Sequence, residues 1–187
     1  MNPFAFLIEI LFSLYISALM LRFILQWVRA DFYNPISQAI VKITNPVVAP
    51  LRRIIPGLWG LDFATLFVIV ALGAIKYLLI GLINGGLNAA LLSIVLFTSL
   101  DTIHLVFNIF TYAIIIQALL SWVSPDPRNP AIQLLSQITY PILRHFQKII
   151  PPIGGLDLSA MAAIIFLLFL RHSFDWFAIP FISQIIA

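Results

Sequence analysis

Residues Arg52–Phe63 read RRIIPGLWGLDF, and residues Gln147–Leu158 read QKIIPPIGGLDL. Both are polar, proline-punctuated interruptions in a chain that is 62% hydrophobic and 9% charged. A shift of 95 residues lays one on the other, and the match reaches back to Trp27 and Trp122. Over 27–62 against 122–157, 15 of 36 positions are identical without a gap. Asp31, Asn34-Pro35, Gln38, Ile43-Thr44, Pro46, Ile54-Ile55-Pro56 and Gly60-Leu61-Asp62 all meet their counterparts. Apolar composition bias does not supply such matches, so the chain carries an internal duplication.

Each copy has the same order. An apolar run ends in Trp, a polar connector follows, and Gly-Leu-Asp opens a second apolar run. The runs are about Phe4–Val28 and Leu61–Asn84 in the first copy, Leu100–Val123 and Leu156–Phe177 in the second. Each has the ~20 residues an α-helix needs to cross a bilayer. They are continuous rather than alternating, which argues against barrel strands. The expected fold is an all-α integral membrane protein with four transmembrane helices in two parallel repeats, 1–84 and 100–187. The connectors, 29–60 and 124–155, are expected as proline-broken amphipathic helices in the interface. The link 85–99, GGLNAALLSIVLFTS, is too short to span. It is expected as an interfacial or re-entrant helix at the end opposite the connectors. Its fusion with the third span into one long tilted helix is the alternative.

A mean hydropathy of +1.08 excludes an ordinary soluble domain. There are no cysteines, hence no disulfide and no thiolate site. The N-terminal run lacks a basic leader and a small-x-small cleavage site, so it reads as a retained helix. The ten Lys and Arg sort cleanly. Arg29, Lys42, Arg52 and Arg53 lie in the first connector, Arg128, Arg144 and Lys148 in the second. Arg22, Lys76 and Arg171 fall within spans. The positive-inside rule then puts both connectors in the cytoplasm and both termini outside. The expected partners are the bilayer and its anionic headgroups, with another membrane protein or a second copy. No nucleic acid is expected, because the basic residues are few.

Inside each connector, Asn34-Pro35 and Asn129-Pro130 read as helix starts. Ile36, Ile40 and Ile43 recur at helical spacing, as do Ile132, Leu135 and Ile138. Pro46 and Pro141 are expected to break these helices. Lys42, Arg52, Arg53, Arg144 and Lys148 would form a basic, lipid-facing platform. Pro56 and Pro151 end the interfacial segment, Gly60 and Gly155 turn the chain, and Asp62 and Asp157 cap the next span. The alternative for the two aspartates is cation or proton binding. Trp27 and Trp122 would anchor at the membrane boundary.

The phrases DFYNPISQAIVKITNPVVAPLRRIIP…GLDF and NPAIQLLSQITYPILRHFQKIIPPIGGLDL resemble the YggT family of small bacterial membrane proteins. The resemblance covers nearly the whole chain. It implies two such repeats and brings no established enzyme activity or catalytic residues to carry over; neither an enzyme nor a cofactor is expected. It also implies links to osmotic or ionic stress tolerance, to division and to assembly of membrane complexes. The second copy departs from the first: Arg52-Arg53 becomes Gln147-Lys148 and Pro50 becomes His145.

Ionisable groups within spans are costly and therefore informative. Lys76 and Arg171 are repeat equivalents, each 14 residues beyond the re-entry aspartate, about 21 Å along a helix. Glu9 and its equivalent His104 lie at similar depth, with Asp101 one turn away. Depth alone allows a Glu9–Lys76 pair and an Asp101–Arg171 contact, and Asp175 sits at i+4 from Arg171. Structural pairing, a polar path for ions or osmolytes, and docking of a partner's charge are the competing readings. Arg22 is expected to snorkel toward the connector end. Phosphate-binding loops, zinc-hydrolase motifs and nucleophile motifs are absent from the sequence, and the three histidines have no metal-ligand spacing.

Overall fold

Local sequence starts the helices where it supplies caps. Asn2, Asn34 and Asn129 each accept the backbone N–H two residues on, and each is followed by proline at the first helical position. In the computed structural model, which describes residues 2–57, 60–86, 91–123, 126, 128–150 and 157–186, these caps open three of six helices. The helices are α1 (Pro3–Trp27), α2 (Pro35–Leu51), α3 (Phe63–Ile83), α4 (Leu91–Val123), α5 (Pro130–Ile149) and α6 (Leu158–Ile186). No β-strand occurs among the described residues. Pro151 and Gly155 lie outside them, as does the side chain of Trp122.

α1, α3, α4 and α6 are long and apolar enough to cross a membrane. Only 11–22% of each one's most apolar stretch is buried inside the molecule. Phe4, Leu14, Phe67, Phe169 and Trp176 are among many large side chains left exposed. So much outward apolar surface requires hydrocarbon around it.

α1 packs on α3 and α2, and α4 packs on α6 and α5. α3 meets α4, and α2 meets α5. One core runs through both halves. Leu19, Met20 and Ile24 of α1 lie in it with Ile69 of α3, Ile114 of α4 and Leu143 of α5. Ala160 and Ala163 of α6 also belong to it, and small residues let helix backbones approach.

Three sequence expectations change. Within the described part of the link, residues 91–99 are not a separate interfacial element but the first turns of the 33-residue α4, as in the long-helix alternative. The cause is tertiary. A Cβ at Gly73 of α3 would lie 2.3 Å from the Thr98 methyl, so the missing side chain is what lets α4 dock there. Thr98, Ser93 and Ile94 in these first turns are buried. The connector helices are not broken: α2 runs through Pro46 and Pro50, and α5 runs through Pro141. An interior proline costs a helix about 3 kcal/mol. Here the buried face continues past it, with Thr44 and Val48 on either side of Pro46, and Thr139 and Leu143 on either side of Pro141. Finally, α6 does not stop at Phe177 but runs through Pro180 to Ile186.

Candidate functional site

Polar groups gather at both ends of the bundle. At the end opposite the connectors, a cavity of about 280 Å³ opens between α1, α3, α4 and α6. Lys76, Asp101, His104, Asn108 and Arg171 line it, with Ser13 and Ser17 of α1. The sequence points to four of these residues, but the pairs that depth alone allows are not the ones formed. Arg171 donates to the Asn108 side-chain oxygen at 2.6 Å, not to Asp101 or Asp175. Asp101 accepts the Tyr77 hydroxyl at 2.5 Å. Asp175 meets His104 at 2.5 Å. Lys76 lies 5.2 Å from the ring centre of Tyr77 and forms no ion pair with Glu9, which is exposed on α1. The physical reason is azimuthal. Depth along a span does not say which way around the helix a side chain points. Tyr77 and Asn108 were missed for the same reason, although Asn108 lies at i+4 from His104.

Leu19, Met20, Ile24 and Ile114, all fully buried, belong to the apolar core that the helices share. The polar group lining the cavity can hold or redistribute charge at one end of the bundle.

At the connector end, Asp62 caps α3. Its carboxylate accepts the Thr65 backbone N–H at 3.3 Å and the Thr65 hydroxyl. It also accepts Arg52 Nε at 3.1 Å and pairs with Arg52 Nη2. Burial pushes this carboxyl up, but hydrogen bonds from Arg52 and Thr65 and the guanidinium charge outweigh it, holding Asp62 below the ordinary 3.8. Gly60 has φ +81°, the left-handed turn expected of it, and Pro56 lies in the exposed stretch before it. In the second half Asp157 accepts from Ser159 and, at 3.3 Å, from Gln147. Gln147 thus stands where Arg52 stands, without the charge.

Arg22 does not snorkel into lipid. It is 4% exposed and donates to the Thr44 hydroxyl of α2 at 2.8 Å. The equivalent contact in the second half is neutral, between Gln117 and Thr139. Lys42, Arg53, Arg144 and Lys148 are exposed on the connectors, and Arg52 is exposed but engaged by Asp62 and Gln26. α2 and α5 lie against each other. The Asp31 N–H donates to the Gln137 side-chain oxygen at 2.9 Å, and the Asn34 amide donates to the Pro130 carbonyl at 2.7 Å. Trp27 is half-exposed at the end of α1 and packs edge-on against Phe110, centroids 6.0 Å apart. Among the described residues no group of three His, Asp or Glu side chains could hold a metal ion.

The CCB3/YggT family model matches residues 1–83 and 96–186. An uncharacterised protein of Vibrio alginolyticus is 42% identical over 170 residues, 90% of this chain and 91% of that protein. An uncharacterised protein of Pseudomonas aeruginosa is 42% identical over 161 residues, covering 86% and 82%. The uncharacterised protein YggT of Escherichia coli is 37% identical over 167 residues, covering 89% and 86%. No solved structure matches the chain.

Proposed function

We propose that this chain, which belongs to the CCB3/YggT family, is a non-catalytic organiser of other components in the bacterial inner membrane. One observation carries the reading. α2 touches α5, and the cap of α2 and the turn before it are hydrogen-bonded to α5, so the two connectors make one surface bearing Lys42, Arg53, Arg144 and Lys148. These are the strongly amphipathic helices of the molecule, suited to lie against anionic headgroups while a partner docks on their polar side. The positive-inside rule puts this platform in the cytoplasm and both chain ends outside. We read the halves as parallel repeats. Equivalent residues act alike in them: Asn34 and Asn129 cap, Thr44 and Thr139 tie the connector to a span, Asp62 and Asp157 open the next span. The family match over 1–83 and 96–186 supports this.

The polar cavity around Lys76 and Arg171 favours a second reading, an oligomeric channel or transporter for ions or small osmolytes, as in the stress tolerance the resemblance implies. With so few polar residues in the four spans and a shared apolar core, such a route would have to form between chains. Two experiments separate the readings. A photo-crosslinker at Arg53 in native membranes should capture one defined membrane-protein partner. Arg53 is chosen because Arg52 is held by Asp62. Purified protein in liposomes should pass no ions or osmolytes. Flux that Lys76→Met abolishes, with no captured partner, would replace the organiser with the transporter.

A further inference from the structure

A second cavity, of about 410 Å³, lies at the connector end between α1 and α2. Its polar lining is Arg22, Gln26, Ser37, Asn45 and Arg52. Two features of this lining are unusual. Arg22 and Ser37 are each only 4% exposed, yet Arg22 Nε and Ser37 Oγ have no hydrogen-bond partner. Buried polar groups are nearly always satisfied, and a guanidinium taken from water without full compensation is costly. The charge is also unbalanced. Arg22 and Arg52 are the charged residues of the lining, and the Asp62 carboxylate bound to Arg52 neutralises one of them. One positive charge remains. Ser37 stands in the first turn of α2, where the helix end adds partial positive charge.

The second half acts as an internal control. At the shift of 95 residues, Arg22 becomes Gln117, Ser37 becomes Ile132, Asn45 becomes Tyr140 and Arg52 becomes Gln147. Gln117 still bonds to Thr139, as Arg22 bonds to Thr44. A neutral side chain therefore suffices to tie span to connector. The charge of Arg22 and the free hydroxyl of Ser37 exceed what the fold needs. Both point to a ligand.

We propose that this cavity is a binding site for one phosphate-type oxyanion. The Arg22 and Ser37 side chains supply donors to its oxygens, and Gln26 and Asn45 complete the polar wall. The group reaches the site as the headgroup of a lipid or as free phosphate, and the chemistry is the same for both. Guanidinium to phosphate is a charge-assisted hydrogen bond, among the stronger ones available to a protein.

The test uses full-length protein in a maltoside detergent, which carries no phosphate, and reads the thermal unfolding midpoint. Phosphatidylglycerol and inorganic phosphate are titrated separately. A ligand that binds only the folded state raises the midpoint. The expected result is a rise of several degrees with one of the two, lost in Arg22→Gln and reduced in Ser37→Ala. A rise with phosphatidylglycerol alone identifies a lipid headgroup, and a rise with inorganic phosphate identifies the free ion. Arg22→Gln should fold, because Gln117 already fills the equivalent place. Should it not fold, Ser37→Ala decides, and an undiminished response there overturns the proposal. No rise with either ligand, or an equal rise in Arg22→Gln, also overturns it.

Discussion

Asp62 and Asp157 occupy equivalent places but differ in what surrounds them. Asp62 is 3% exposed and meets a guanidinium, whereas Asp157 is half-buried and meets the Gln147 amide. Removing a helix cap costs about 1 kcal/mol, and orphaning a buried partner adds to that. Asp62→Ala should therefore lower stability by about 2 kcal/mol and Asp157→Ala by about half as much, measured by reversible unfolding in mixed micelles. The pH dependence has a fixed sign. The folded-state value of Asp62 lies below the ordinary 3.8, so its contribution is complete above 3.8 and is lost as pH falls through the folded value. Acid titration of wild type against Asp62→Asn checks this: the two curves should converge below that range. At the end of α1, Arg29 holds φ +55° where the chain leaves the helix, and the Ala30 N–H reaches back to the Leu25 carbonyl. That geometry is the one glycine favours after a helix. Arg29→Gly should raise stability by about 0.5–1 kcal/mol in the same assay, despite losing a charge.

Helix starts were legible in the sequence because caps are local: Asn34 and Asn129 need only the residues that follow them. Helix ends and breaks were less so. Pro46 and Pro141 signal a break locally, but Thr44 with Val48 and Thr139 with Leu143 bury one face across them. The start of α4 was misjudged for a related reason. Nothing within GGLNAALLSIVLFTS reveals that Gly73, on another helix, leaves room for Thr98. This contact can be tested as a pair. Gly73→Ala should destabilise the protein by about 1–3 kcal/mol through overpacking. Adding Thr98→Ser, which removes the facing methyl, should restore most of the loss. Additive losses in the double mutant would place the strain elsewhere. Val95→Pro probes helix continuity. In a loose interfacial link it would be tolerated, but inside α4 it should cost about 3 kcal/mol or more.

Across the whole molecule, composition, four apolar runs and the basic connectors made the membrane architecture readable, because bilayer thickness constrains them directly. The candidate site was readable only as a set of depths. Lys76, Asp101, His104 and Arg171 do converge on one cavity, but rotation about each helix axis decided who met whom. Arg22 was misread because its burial depends on α2 folding back over α1, a contact between residues 22 apart in sequence. The adjacency of α2 and α5 is the feature on which the proposed role stands. It requires both connectors on one side of the membrane and in contact. The protein has no cysteine, so introduced thiols report without background. The direct measurement is intramolecular crosslinking of Asp31→Cys with Gln137→Cys in native membranes, using a short thiol-reactive crosslinker. The account predicts efficient crosslinking within one chain, with neither thiol reachable by an impermeant reagent added outside the cell. Absence of the crosslink, or labelling of one of the two thiols from outside, would contradict it.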